Sequence, residues 1–244
     1  MNLLLLTEQE LSPEAEAVLE GRRARHLLDV LGVEVGQELR AGMLNASYGV
    51  ARVLATDGQR VRVVYRAVQA AVGRPERCLV LAIPRPKVLS RCLEHASALG
   101  YETIVLLRTA RVEKSHLGSH KLTSADIEPH LISGLEQGAR VMIPKLHVAT
   151  RFRPFVEDEL DTLVSSRRRF VAHPHATSQI AGLAPLSADY CLAIGPEGGF
   201  VPFEIELLQQ RGFEAVSAAM GPLRVESALS YLTGQLDLLQ QRAG

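Results

Sequence analysis

The stretch Tyr190-Cys191-Leu192-Ala193-Ile194-Gly195-Pro196-Glu197-Gly198-Gly199-Phe200 decides how the chain is read. Its first five residues are an apolar run of strand length; the next five put three glycines and a proline into a tight turn. A run without polar alternation suits a strand buried on both faces. Leu79 to Ile83, Thr103 to Leu107, Arg169 to Ala172 and Ala215 to Ala218 read as strands of the same set. Helical patterns separate them: Lys87 to Leu99 stops at Gly100, Ala125 to Gly138 has helical spacing, and Pro202 to Arg211 stops at Gly212. This alternation predicts an α/β domain with a parallel sheet over residues 74–244. A last helix, Glu226 to Gln241, carries Leu229, Leu232, Leu236 and Leu239 in one stripe.

Upstream of a linker near Ala70 to Arg77 the rhythm is different. Leu3 to Leu6, Val35 to Leu39 and Tyr48 to Leu54 read as strands, and a basic helical patch, Arg22 to Leu31, ends at Gly32. Gln59 to Arg66 alternates, sending Val61, Val63 and Tyr65 to one face and Arg60, Arg62, Val64 and Arg66 to the other. A small β-barrel over residues 1–70 would use such strands without leaving open edges.

Lys+Arg and Asp+Glu both number 27, so no whole-molecule field draws the chain onto nucleic acid, and RNA binding would need local patches. The three cysteines, Cys78, Cys92 and Cys191, have no CxxC spacing; this argues against a disulfide framework or zinc site and fits a reducing cytoplasm. Glu8 and Glu10 follow the short apolar start at once, unlike a signal peptide. No run reaches the roughly 18 apolar residues of a membrane span, so a soluble protein is expected.

Ligands of open α/β sheets collect beyond the carboxyl ends of strands, which singles out three loops. They are His173-Pro174-His175-Ala176-Thr177-Ser178, then Gly195 to Gly199, then Met220-Gly221-Pro222-Leu223-Arg224-Val225-Glu226-Ser227. The middle loop lacks the Gly-Lys-Ser/Thr ending of a phosphate loop and the Gly-x-Gly-x-x-Gly of a dinucleotide loop, so phosphate is disfavoured as its ligand. A plain strand-to-helix connector is the alternative. His173 and His175 have no acidic or cysteine companion in their loop, so local hydrogen bonding is preferred to metal and no metal site is expected. Glu226 stands where a carboxylate favours a helix start, whereas Arg224 could reach a phosphate or a base edge. Glu136 and Arg140 have the spacing of a surface ion pair.

Together these segments resemble the RsmE-type 16S rRNA uridine methyltransferases of the knotted SPOUT superfamily. The run Ile194-Gly195-Pro196-Glu197-Gly198-Gly199 matches the most characteristic motif of that family unchanged. His173-Pro174-x-Ala176, Glu136-Gln137-x-x-Arg140 with Pro144, and His26-Leu27-x-x-Val30-Leu31 match three more. The resemblance implies a PUA-like N-terminal barrel, a C-terminal trefoil knot and a homodimer joined through the last helix. It also implies S-adenosylmethionine held by His173, Pro174, Ala176, Ile194, Gly195, Pro196, Glu197, Gly198, Gly199, Met220, Gly221 and Leu223. The substrate it implies is a uridine N3 of 16S rRNA in the small ribosomal subunit. Arg224 would position the target or stabilise its anion, and Glu226 is the weaker candidate for accepting the proton.

Arg22, Arg23, Arg25, His26, Arg60, Arg62, Arg66 and Arg140 are the candidate RNA contacts, with a solvated charged face as the plain alternative. The chain departs from the family at several polar positions. Its last loop is two residues shorter, Gly32 replaces an arginine, and His95-Ala96-Ser97-Ala98-Leu99-Gly100 lacks the usual lysine and glutamate. These departures leave two other readings: a binding homologue without catalysis, or a methyltransferase acting on another RNA.

Overall fold

The structure, a computed structural model, describes residues 2–73, 76–113, 123–164, 168–186, 189–217 and 221–242. Two compact units divide the chain, Met1–Gly73 with Leu135–Ile143, and Arg74–Gly134 with Pro144–Gly244. The segment Leu135–Ile143, which the sequence pattern keeps in the second domain, therefore groups with the first.

In the first unit, β1 (Leu4–Leu6), β2 (Glu16–Leu19), β3 (Glu38–Met43), β4 (Ser47–Thr56) and β5 (Val61–Ala70) form one sheet in the order β1-β3-β4-β5-β2. β1 runs parallel to β3, and the other pairs are antiparallel. Alternation on β5 behaves as the sequence predicts: Val61, Val63 and Tyr65 are buried while Arg62 and Arg66 are exposed. Leu4, Leu19, Leu27, Ala51 and Val53 share that core, Leu27 coming from the helix α1 (Gly21–Arg25) and its π-turn continuation His26–Val30. The expected closed barrel is not found. Edge strands β1 and β2 make no ladder with each other among the described residues, so the sheet is open in its hydrogen bonding.

The second unit is a seven-stranded, wholly parallel sheet. Its strands are β6 (Arg77–Ala82), β7 (Thr103–Leu107), β8 (Lys145–Ala149), β9 (Arg169–Ala172), β10 (Ser178–Gln179), β11 (Tyr190–Ile194) and β12 (Phe213–Ser217). Their order is β10-β12-β9-β11-β6-β7-β8. β11 is buried along its whole length, as an interior parallel strand must be. Ala218, at the end of the expected last strand, lies outside the described residues. The chain lays β7 and β8 on one side of β6 and then crosses to the other, where β11 enters between β9 and β6 and β12 between β10 and β9. That crossing puts the carboxyl ends of β9, β11 and β12 side by side.

The principal helices are α2 (Pro86–Leu99), α3 (Ser124–Gly138), α4 (Pro202–Gln210) and α5 (Val225–Gln241). Proline opens α2 and α4, where its missing N–H costs nothing. Leu229, Leu232, Leu236 and Leu239 of α5 are buried, each side chain contributing on the order of 1.5–3 kcal/mol by leaving water. A polar cluster fixes the same helix: Arg77 meets Asp237 at 3.0 Å and Gln240 at 2.6 Å, and the Tyr101 and Thr233 hydroxyls lie 2.7 Å apart. Among the described residues, no helix is long and apolar enough to cross a membrane.

Candidate functional site

The loop after β11 is built around its glycines. The Gly199 N–H donates to the Pro196 carbonyl at 2.7 Å, closing a turn in which Gly199 has φ of +71°, a region open to glycine at little cost. At Gly195 a Cβ would lie 3.0 Å from the Phe200 nitrogen and 3.1 Å from its ring, so a side chain there would push the turn apart. Two outside contacts hold the loop: the Arg85 N–H donates to Glu197 Oε1 at 3.2 Å, and Arg111 Nη1 donates to the Gly198 carbonyl.

Beside it, the His173 N–H donates to the Val216 carbonyl at 3.0 Å and the Ala176 N–H to the His173 carbonyl at the same distance. The loop after β9 is thereby folded against β12. The rings of His173 and His175 meet edge to face with centroids 5.8 Å apart. Gly221, Pro222 and Leu223 come next to both loops just before α5. These loops enclose a cavity of about 130 Å³.

Nine of the residues singled out in the sequence line this cavity: His173, Pro174, Ile194, Gly195, Pro196, Glu197, Gly199, Gly221 and Leu223. Ala176, Gly198, Arg224 and Glu226 are not among its lining residues, and Met220 lies outside the described residues. Arg224 holds the N-cap position of α5 and is exposed. Glu226, in the first turn, faces Arg91 of α2 at 3.6 Å and is mostly buried. The buried Cys92 thiol is pushed up to about 12 by desolvation, reinforced by the negative charges of Glu226 and Glu197.

Sequence reading passed over one residue that organises the site. Glu204, only 2% exposed, accepts the Ala110 N–H at 2.7 Å through Oε1 and the Val201 N–H at 2.9 Å through Oε2. One buried carboxylate thus ties the segment after β7 to the end of the glycine loop. Its only signal in the sequence is a glutamate two residues after the proline that opens α4.

A model of the RNA methyltransferase domain matches residues 74–237. The chain is similar to the ribosomal RNA small subunit methyltransferase E of Treponema pallidum, at 33% identity over 93% of this chain and 87% of that protein. The chain belongs to the ribosomal RNA small subunit methyltransferase E family. A second member, from Mycobacterium tuberculosis, is 26% identical over 93% of this chain and 88% of its own length. In fold, the chain is similar to the Neisseria gonorrhoeae member of this family crystallised bound to S-adenosyl methionine. The TM-score is 0.75 at 20% identity, covering 98% of each chain.

In the first unit most of the candidate RNA-facing arginines have acidic partners. Arg22 pairs with Glu136 at 2.8 Å, Arg23 with Glu10, Arg60 with Glu20 at 3.0 Å and Arg62 with Glu16 at 3.8 Å. Arg23 is half-buried and also donates to the Leu5 carbonyl at 3.0 Å, which makes it part of the fold. Arg25 and Arg66 are exposed without a carboxylate partner among the described residues, and His26 is half-buried in the π-turn. Glu136 accepts a hydrogen bond from Arg22, and the Arg140 N–H donates to the Leu135 carbonyl at 2.9 Å.

Proposed function

We propose that this chain transfers a methyl group from S-adenosylmethionine to N3 of a uridine in 16S rRNA of the small ribosomal subunit. One observation carries the cofactor reading. Among the described residues, the cavity over β9, β11 and β12 is lined mostly by glycine backbone and apolar side chains, with His173, Ser217 and one carboxylate, Glu197, and with no lysine or arginine. A phosphate would call for the opposite charge, whereas an adenosyl ligand with a positive sulfonium suits this lining. The Neisseria gonorrhoeae relative, bound to S-adenosyl methionine, supports the same reading.

On this reading the backbone around Gly195, Gly199 and Gly221, with the Pro196 and Leu223 side chains, would hold the adenosyl group. His173, Pro174, Ala176, Ile194 and Gly198 complete or shape the pocket; Met220, also proposed for it, lies outside the described residues. Glu197, anchored by the Arg85 N–H, supplies the negative charge. The cofactor brings a methyl already activated on its sulfonium, so the protein has to align the target and exclude water. The uridine N3 is a poor nucleophile while protonated. Arg224, at the start of α5 and without a carboxylate partner among the described residues, stabilises the negative ring as that proton leaves. Glu226, 3.6 Å from Arg91 in the first turn of the helix, is the weaker candidate for accepting that proton.

A PUA-like role for the first unit, a trefoil knot and a homodimer through α5 belong to the same reading. Insertion of β11 and β12 between strands laid down earlier supports the knot, and the exposed Tyr231 and Leu238 of α5 support the dimer contact. Binding without catalysis is the second reading, favoured by the absence of Arg224 and Glu226 from the cavity lining. Calorimetry tests the cofactor site: S-adenosylmethionine should bind with one site per chain and ATP should not compete. Equal displacement by ATP would remove the charge argument.

A further inference from the structure

A second cleft of about 480 Å³ opens beyond the carboxyl ends of β7 and β8, within the second unit and apart from the cavity lining described above. Arg108, Thr109, Arg151, Phe152, Arg153 and Phe203 are among the residues lining it. Arg108 and Arg151 have no carboxylate partner among the described residues, while Arg153 is paired with Glu157 at 2.9 Å. Thr109 is only 4% exposed, and its Oγ1 finds no hydrogen-bond partner among the described residues. A buried hydroxyl left unpaired costs stability, which marks a place where a ligand oxygen would be welcome. Phe203 opens outward with 49% of its surface exposed. The acidic residue in the lining is Glu204, and both its oxygens are occupied by the Ala110 and Val201 N–H groups.

Guanidinium groups, an unpaired hydroxyl and aromatic faces together suit one chemical class. A free phosphate would use the arginines and leave the rings idle; an acidic peptide would do the same. A nucleic-acid strand uses all three, with phosphate oxygens on arginine and hydroxyl and an unstacked base on the ring. We propose that this cleft is a binding site for single-stranded RNA flanking the modified nucleotide, with Arg108, Thr109 and Arg151 on phosphate and Phe203 under a base. The proposal rests on the methyltransferase reading above for what the strand is, but not for whether the cleft binds RNA. Glu204 joins the two places: it fixes Ala110, next to Thr109, and Val201, at the end of the glycine loop. RNA seated in the cleft would thereby press on the backbone that shapes the cofactor cavity.

The test is fluorescence anisotropy of a short fluorescein-labelled oligouridylate, read over a range of salt concentrations, beside methyl transfer to rRNA and calorimetry with S-adenosylmethionine. In Arg108→Ala/Arg151→Ala the slope of log affinity against log salt should become shallower by about 1.5, and binding at low salt should fall at least ~10-fold. Phe203→Ala should weaken binding ~5- to 100-fold with the slope unchanged. Thr109→Val should lower RNA affinity while leaving the fold as stable or more so, since it removes an unpaired hydroxyl; this separates ligand contact from structural damage. Cofactor affinity should hold in all three. Unchanged oligonucleotide affinity and salt slope in the double variant, or displacement by polyglutamate as effective as by unlabelled RNA, would overturn the assignment. Failure of the wild-type protein to methylate rRNA would count against the proposed function alone, because anisotropy reads the cleft independently.

Discussion

Removing the Glu204 carboxylate should loosen the cofactor loop and the whole domain together. The side chain accepts two backbone N–H groups, at 2.7 Å from Ala110 and 2.9 Å from Val201. Hydrogen bonds to a charged acceptor are worth about 1.5–3 kcal/mol each, so the gross loss in Glu204→Ala is roughly 3–6 kcal/mol. Two terms reduce it: the deletion also removes the cost of burying a charge, and water can reach the freed groups because Ala110 is exposed and Val201 half-buried. A net loss of about 2–4 kcal/mol remains, a fall in Tm of roughly 5–15 °C for a chain of this size. Glu204→Gln keeps one accepting oxygen but turns an NH2 toward the other amide, and should lose about half as much. Urea denaturation gives the stability, and hydrogen exchange at the Ala110 and Val201 amides shows whether the loss is local to the tie. Stability within about 0.5 kcal/mol of wild type, with exchange at those amides unchanged, would refute the role assigned to this carboxylate.

Three further outcomes are expected. Gly199→Val forces a branched side chain into a left-handed turn at a cost of about 1–2 kcal/mol, so S-adenosylmethionine should bind roughly 10-fold more weakly while Gly199→Asn stays near wild type; calorimetry compares them. Burial raises the Cys92 thiol and the Tyr190 hydroxyl to about 12, above ordinary values of 9.0 and 10.0, so the unfolded chain ionises first. Their contribution is complete below those ordinary values and is lost as pH climbs toward about 12, at up to about 1.4 kcal/mol per pH unit for each group; Tyr190→Phe should flatten the decline in alkaline urea titrations, and an unaltered decline would count against it. Arg224→Ala should lose methyl transfer and keep cofactor affinity, and unchanged turnover would eliminate the proposed role.

Interior strands were legible because burial on both faces leaves an uninterrupted apolar run, as at Thr103–Leu107 and Tyr190–Ile194. Leu4–Leu6, an edge strand, was also legible as a short apolar run, but two other edge strands were not. Lys145–Ala149 and Glu16–Leu19 each have only one strand neighbour, and their mixed polar and apolar residues carry no such signal. The glycine-rich turn stood out since its backbone geometry demands glycine locally, whereas Glu204 is chosen by an N–H group 94 positions away in the chain and no local pattern records that. Charge pairing was not legible. The arginines at 22, 23, 60 and 62 read as a basic patch, yet each finds a glutamate once the chain folds. Leu135–Ile143 joins the first unit through contacts such as the Asn2 and Leu3 N–H groups on the Glu136 carbonyl, at 3.0 and 3.1 Å, which sequence distance conceals.

The most direct measurement supplies methyl-labelled S-adenosylmethionine with assembled small subunits, naked 16S rRNA and tRNA in parallel, then maps the labelled base. The account predicts label on N3 of a uridine of 16S rRNA, lost in Arg224→Ala. Label confined to tRNA, or tight cofactor binding without transfer to any of the three, would contradict it.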